Sequence, residues 1–138
     1  MTPLQTQIQQ LLSGLNRPGT PPLTLDNGVC ALVDDQGQEA LVLEAPAESD
    51  ALLLHCRLFD IAPWQETLSA WRLMMTLNFE MDAMRGCWLA LDEDNQIRLC
   101  HQQGIDALNH TTFIPLIEAF MQQASEAREL LTEMFTAR

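Results

Sequence analysis

One segment, residues 77–100, limits most strongly what this chain can fold into. It leaves an apolar helical pattern, crosses Gly86, and continues as two short stretches whose side chains alternate between two faces. The polar run at residues 92–95 separates the two stretches. Alternation with a period of two on both sides of a polar turn is typical of a β-hairpin. We therefore predict a helix that leads directly into a hairpin.

The N-terminal half predicts a helix and then three strands. Apolar residues recur at helical spacing in the first helix, and its polar face carries uncharged glutamines. Such a face fits a helix that lies on a sheet, or one that also flanks a groove for another chain. Alternating strands over residues 23–33, 39–45 and 51–59 follow, with turns at residues 34–37 and 46–50. The first of these segments is broken at residues 26–28 by a turn or bulge signal, and its second half alternates.

The C-terminal half predicts two further helices, one on either side of the hairpin. The first runs from Pro63 to about Asn78, and its apolar residues spread over too wide an arc for one sheet face to cover. It is either enclosed within the monomer or packed against a second subunit, and we favour the subunit interface in a chain this small. After a loop at residues 102–108, Thr111 or Thr112 can cap the last helix, with Pro115 in its first turn.

The predicted element order is α-β-β-β-α-β-β-α. This order predicts an α+β fold, in which helices pack against a twisted antiparallel sheet. We expect a single domain over residues 1–138, because a chain of this length can bury a substantial hydrophobic core.

The charge balance argues against several kinds of partner. The formal net charge is −12, from 19 acidic and 7 basic residues. We expect no binding to nucleic acid or anionic lipid, because neutralising phosphates requires clustered Lys and Arg. No apolar run reaches the roughly 18 residues that span a bilayer. The N-terminus lacks the pattern of a secretory signal, so we expect a cytoplasmic protein without membrane insertion.

The sequence carries no recognisable motif for catalysis, for a cofactor or for a metal ion. His55 and His101 each adjoin a cysteine, but neighbouring residues of a strand point to opposite faces, so neither pair can act together. The four cysteines are expected to be buried, reduced thiols rather than disulfides or metal ligands. We expect that the protein is not an enzyme. The alternative is a small enzyme that uses Cys56 or Cys100 together with a histidine.

Four blocks of the sequence resemble class I type III secretion chaperones of the Tir-chaperone (CesT-like) family. They are DNGVCAL at residues 26–32, SDALLLHCR at residues 49–57, LNFEMDAMRGCWLALDE at residues 77–93 and IRLC at residues 97–100. The resemblance is closest to the DspF/AvrF chaperones of plant-pathogenic bacteria, which serve effectors of the DspE/AvrE group. It implies a homodimer that holds the N-terminal segment of such an effector extended and competent for secretion, without ATP or another cofactor.

The resemblance also implies where the partners bind. In that family an effector segment adds a strand to a sheet edge and lays apolar side chains into grooves beside the first helix. On this sequence the implied effector-binding groove consists of Ile8, Leu11, Leu12, Leu15, Leu41 and Leu43. The implied dimer interface, on the middle helix and the hairpin, consists of Trp71, Met74, Met75, Trp88 and Leu89. A regulatory binding protein that sequesters a secretion regulator is the alternative function.

Overall fold

A computed structural model describes residues 1–136 of the chain. The helices and strands are, in order, α1 (Pro3–Ser13), β1 (Val29–Val33), β2 (Glu39–Glu44), β3 (Ala51–Asp60), α2 (Leu68–Phe79), α3 (Met81–Met84), β4 (Trp88–Leu91), β5 (Gln96–Gly104) and α4 (Phe113–Thr136). The five strands form one sheet in the order β1-β2-β3-β5-β4. The predicted α+β class and the predicted order of the main elements are confirmed.

The structure divides into two compact units. The first consists of Met1–Leu54 and Gln102–Glu118, and the second of His55–His101 and the chain from Ala119 onward. The first unit contains α1, β1 and β2, and the second contains α2, α3 and β4. One candidate binding surface lies in each unit. A single domain over the whole chain stays a prediction.

The helix α1 begins at a capping box, in which two side chains satisfy backbone groups of the first turn. Thr2 Oγ1 accepts a hydrogen bond from the N–H of Gln5 (3.2 Å), and Gln5 Oε1 accepts one from the N–H of Thr2 (3.1 Å). Pro3 occupies the first helical position, where a missing N–H costs little. The buried apolar side of α1, as predicted from helical spacing, includes Leu4, Ile8, Leu11 and Leu12.

The β1–β2 and β4–β5 hairpins are closed by turns with the same hydrogen-bond pattern. In each turn the first residue, Asp34 or Asp92, accepts two backbone N–H groups on one carboxylate oxygen at 2.8–3.0 Å. The fourth residue adopts the left-handed conformation, Gly37 with φ 76° and Asn95 with φ 58°. Glycine and asparagine tolerate this conformation best. Both predicted hairpins are confirmed.

The strand β1 begins at Val29, after the turn predicted at residues 26–28, and so covers only the second half of the predicted strand segment. The N–H of Asp26 donates to Val29 O (2.8 Å), and the N–H of Val29 donates to Asp26 O (3.0 Å), which closes a tight turn. Residues 20–25 before this turn are not part of a strand. We call residues 20–25 the strap.

The predicted start of the second helix at Pro63 is wrong, because Pro63 opens a separate 3₁₀ turn. The helix α2 begins after Thr67, whose Oγ1 accepts a hydrogen bond from the N–H of Ala70 (3.1 Å). It ends before Glu80, whose ψ of 73° is outside the helical range. Met81 therefore belongs to the one-turn helix α3 and not to the second helix.

The predicted loop at residues 102–108 is partly regular, since β5 continues to Gly104 and a 3₁₀ turn follows it. Asn109 organises the approach to α4: its Oδ1 accepts the N–H groups of Thr111 (2.9 Å) and Thr112 (3.1 Å). Pro115 lies in the first turn of α4, as predicted. The longer β5 and the 3₁₀ turn both arise from backbone hydrogen bonds that an apolar pattern does not encode.

Candidate functional site

The glutamine side of α1 is bonded to the protein's own backbone. Gln5 Nε2 donates to Ala45 O (2.9 Å), and Gln7 Nε2 donates to the carbonyl oxygen of Leu108. Gln9 bonds twice to the strap, as its Nε2 donates to Leu23 O (3.1 Å) and its Oε1 accepts from the N–H of Leu25 (2.9 Å). Uncharged amides suit this task because each offers both a donor and an acceptor.

Most of the predicted effector-groove residues lie in the core of the first unit. Ile8, Leu12 and Leu43 have no exposed surface, Leu41 is 1% exposed and Leu11 is 5% exposed. Leu15, just beyond the end of α1, is half-buried. Leu15 is therefore the one predicted groove residue that an incoming chain can reach readily without opening the core. The effector-binding role of the six residues stays a prediction.

An open hollow lies beside the N-terminal half of α1, with a volume of about 560 Å³. Its lining is mixed, with apolar side chains next to amide and imidazole groups. The lining residues are Met1, Pro3, Thr6, Gln7, Gln10, Leu11, Leu108, Asn109 and His110. Such a surface can accept an apolar side chain and offer hydrogen bonds around it.

The helix α2 exposes large apolar side chains along one stripe. Leu68, Met75 and Phe79 occupy positions i, i+7 and i+11, which place them on one side of the helix. They are 76%, 69% and 84% exposed. We call these three residues the α2 face. Single exposed apolar residues are ordinary, but three large ones on one side of a helix, with only Arg72 between Leu68 and Met75 on that side, indicate a candidate interaction surface.

The predicted dimer residues lie around the α2 face. Met75 belongs to it, and Trp71 and Trp88 are half-buried. Met74 and Leu89 are buried, at 4% and 7% exposure. A hollow of about 290 Å³ is lined by Trp71, Met74, Met75, Leu89 and residues of both hairpin strands. Four of the five predicted residues therefore line one depression, although their role in a dimer stays a prediction.

Asn78, at the C-terminal end of α2, closes the β4 edge of the sheet. Its Oδ1 accepts the N–H of Leu89 (2.7 Å), and its Nδ2 donates to Leu89 O (3.1 Å). Leu89 pairs with Leu99 of β5, and both backbone groups of a strand residue point to the same side. The groups that Asn78 binds therefore face outward from the sheet, where a further strand would otherwise pair.

The arginine Arg98 links two polar groups in the second unit. Its Nε donates to His55 Nδ1 (3.0 Å), and its Nη1 lies 3.4 Å from Asp92 Oδ2. Partial burial alone would raise the pKa of Asp92. The N–H groups of Gln96 and Asp94 and the Arg98 guanidinium together outweigh burial and lower that pKa below its ordinary value.

The pKa values of two cysteines, Cys30 and Cys87, do not suit a nucleophile. All four cysteines are thiols, and Cys30, Cys56 and Cys87 are buried. Burial, followed by the nearby thiols of Cys56 and Cys100, raises the pKa of Cys87 to about 11, against a smaller opposite effect of Arg85. Burial also raises the pKa of Cys30. Thiols of this kind are protonated at neutral pH, whereas nucleophilic cysteines need a lowered pKa.

Two features of residues 1–136 bear on other functions. No group of three or more His, Cys, Asp or Glu side chains within this range could hold a metal ion. Within the same range, every helix is too short or too polar to cross a membrane.

Sequence reasoning noticed the uncharged face of α1 and the wide apolar arc of α2, and both are structural features. It missed the hydrogen bonds of Gln9 and Asn78. A signal existed for Asn78, since it is a polar residue at the end of an otherwise apolar helical segment. For Gln9 the signal was the run of glutamines itself, whose partners lie elsewhere in the chain.

Several solved structures share this fold. A chain of the ExsC-ExsE complex matches with a TM-score of 0.74 at 21% identity, over 99% of this chain and 100% of that chain. A chain of the HopA1-SchA chaperone-effector complex matches with a TM-score of 0.71 at 18% identity, over 94% of this chain and 98% of that chain. A third match is a chain from the crystal structure of the Yersinia pestis type III secretion chaperone SycH with a fragment of YscM2. Its TM-score is 0.54 at 16% identity, over 89% of this chain and 98% of that chain. At these identities the likeness defines a fold class, that of type III secretion chaperones.

The sequence itself gives the family. The profile of the Tir chaperone protein (CesT) family matches residues 7–128, which is most of the chain. The chain therefore belongs to the CesT family of type III secretion chaperones. Comparison with curated proteins gives no match.

Proposed function

We propose that this chain is a cytoplasmic chaperone for the N-terminal chaperone-binding segment of an effector of the DspE/AvrE group. It holds that segment extended and competent for secretion, without ATP and without chemistry of its own. The observation that carries the proposal is the family match over residues 7–128. The HopA1-SchA chaperone-effector complex, which has the same fold, supports a secreted protein as the partner.

The first test is capture of the effector. The tagged chain is co-expressed with an N-terminal or a C-terminal fragment of a DspE/AvrE-group effector, and the bound fragment is identified by mass spectrometry. We expect capture of the N-terminal fragment only. Capture of neither fragment would overturn the choice of effector, and recovery of a secretion regulator from the native cell would favour the regulatory alternative.

A substitution tests whether the predicted groove takes part. Leu15 is half-buried beyond the end of α1, so Leu15→Asp changes the predicted groove with little cost to the core. We expect at least about a tenfold weaker capture of the N-terminal fragment, because a carboxylate cannot be buried against an apolar client side chain. Unchanged capture by a folded Leu15→Asp protein would remove Leu15 from the groove.

We propose further that the chaperone acts as a homodimer through the α2 face. Stable interfaces bury about 800 Å² on each partner, and each Å² of apolar area contributes about 25 cal/mol. An interface of that size outweighs the entropy lost on association when it is well packed. The α2 face and the hollow beside it supply an exposed apolar centre for such an interface.

The dimer is tested by light scattering at micromolar concentration. The chain has a mass of 15.5 kDa, so we expect a particle of twice that mass. Met75→Glu places a charge on the α2 face and should yield monomers. Ile114→Glu is the matched control, because Ile114 is also exposed (46%) but lies at the start of α4. A monomeric wild-type chain, or equal dissociation by both substitutions, would reject this interface.

A further inference from the structure

A segment of the chain itself is bound along α1 in an extended conformation. The strap is held by side chains that bond to its backbone rather than to its side chains. Asn16 Oδ1 accepts the N–H of Leu23 (2.9 Å), while Gln9 donates to Leu23 O and accepts from the N–H of Leu25. One amide therefore bonds to two alternate residues, much as a neighbouring strand does.

Side-chain packing contributes to this attachment at only two of the six strap residues. Leu23 and Leu25 are half-buried, whereas the Thr and Pro residues of the strap are exposed. The whole connection between α1 and β1, residues 14–28, is also longer than the roughly four to six residues that usually join elements.

The junction between the strap and β1, at Gly28, is fixed firmly, by contrast. The N–H of Ala45 donates to Gly28 O (2.7 Å), and Gly28 has a φ of 79°. A Cβ at this position would lie 2.6 Å from Ala45 O, so only glycine fits here. The connection can therefore open along residues 20–25 while its junction with β1 stays in place.

We propose that the strap occupies a binding site for an extended client segment, and that a client displaces it by bonding to Gln9 in its place. This inference rests on the proposed chaperone function. The strap shows the chemistry that fits: an uncharged, extended segment with leucines at alternate positions. Within the strap Gln9 bonds only to backbone groups, so any such segment can form the same two hydrogen bonds. The exchange then involves no net loss of hydrogen bonds at Gln9.

The strap sets a threshold for binding. A tethered segment competes at an effective concentration of order millimolar, so a short free segment binds weakly while the strap is in place. A client with additional contacts elsewhere on the chaperone can overcome this competition. The observed affinity for any segment is reduced by the fraction of molecules in which the strap is bound.

The test uses a synthetic peptide with the sequence of residues 18–27 and a fluorescent label, measured by anisotropy. In one variant of the full chain, residues 20–25 are replaced by six Gly and Ser residues, and circular dichroism checks its fold. We expect the peptide to bind this variant at least about tenfold more tightly than the wild-type chain. Adding Gln9→Ala to the variant should abolish the gain. Gln122→Ala, which removes an exposed amide on α4, should leave it unchanged.

Equal binding to the variant and to the wild-type chain, including no binding to either, would overturn the proposal. So would tight binding that survives Gln9→Ala. If the replaced variant does not fold, Asn16→Ala removes a single strap bond from an exposed side chain. Hydrogen exchange at the Leu25 amide should then become several-fold faster than in the wild-type chain, and an unchanged rate would reject the displaceable strap.

The last arm separates this inference from the proposed function. With the effector's N-terminal fragment bound, we expect the Leu25 amide to lose protection against hydrogen exchange. Capture of the fragment with Leu25 still protected would keep the chaperone function and reject displacement of the strap. Peptide binding to the replaced variant requires no effector, so it can succeed even if the DspE/AvrE assignment fails.

Discussion

The helices α1 and α2 both carry an apolar face but present opposite sides to their surroundings. The apolar side chains of α1 are buried, and its glutamines bond to the strap and to nearby backbone. The α2 face is exposed, and the polar residue Asn78 is the one that turns toward the sheet. Helical spacing therefore identifies a face, while the polar residues beside it show whether the chain covers that face itself.

The largest contrast is expected from the same substitution on the two helices. Leu12→Asp buries a charge at a position with no exposed surface, which should cost more than about 3 kcal/mol and unfold the first unit. Leu68→Asp, at 76% exposure, should change the free energy of unfolding of the monomer by less than about 0.5 kcal/mol. Urea denaturation at low protein concentration measures both. Equal losses of unfolding free energy would show that the two helices do not differ in how the chain covers their apolar faces.

The tight packing beside α1 predicts a second contrast, between two glycines with similar backbone angles. Gly28 and Gly37 have φ of 79° and 76°. An alanine Cβ at 28 would clash with Ala45 O, whereas at 37 it would meet no described atom within 4 Å. We expect Gly28→Ala to destabilise by about 2–3 kcal/mol and Gly37→Ala by about 1 kcal/mol. Similar thermal unfolding of both would indicate that the contact at 28 relaxes easily.

The bonds of Asn78 predict a smaller effect in the second unit. Asn78→Ala should lower the free energy of unfolding by about 1–2 kcal/mol, because two backbone groups lose their partner at a part-buried site. The Leu89 amide should also exchange faster with solvent. Thr76→Ala, which removes an exposed hydroxyl from the same helix, is the control. Unchanged exchange at Leu89 would mean that Asn78 does not hold β4.

One further effect is expected only at alkaline pH. The pKa of Cys87 is raised from 9.0 to about 11, mainly by burial. Stability from this thiol is fully present below pH 9, because it is then protonated in both states. As the pH rises toward 11 the unfolded state releases the proton first, so stability falls. Cys87→Ala should show a shallower decline of unfolding free energy with pH, and identical slopes would show that Cys87 titrates normally.

Local patterns predicted the parts of the fold that depend on local chemistry. The alternation in β3 puts Leu52, Leu54 and Cys56 on one face of the strand, because successive side chains point to opposite faces, and all three are buried. The two turns that begin with Asp34 and Asp92 were recognisable because Asp, Asn and Gly are residues that turns favour. The start of α2 was misplaced, because Pro63 suits a 3₁₀ turn as well as a helix.

The candidate sites were less predictable, because coverage depends on distant parts of the chain. Helical spacing identified Ile8, Leu11 and Leu12 as one face, but only the folded chain shows that this face is buried. The wide apolar arc of α2 was a more direct signal. No arrangement of one small sheet could cover all of it, and the structure leaves Met75 and Phe79 exposed.

Asn78 also has a consequence for the behaviour of the protein in concentrated solution. A fibre that grows by joining sheets side by side needs two open sides on every molecule. The sheet ends at β1 on one side and at β4 on the other, and the carboxamide of Asn78 occupies the β4 side at Leu89. Growth by strand pairing should therefore stop after one addition, which would limit self-association of this chain in concentrated solution.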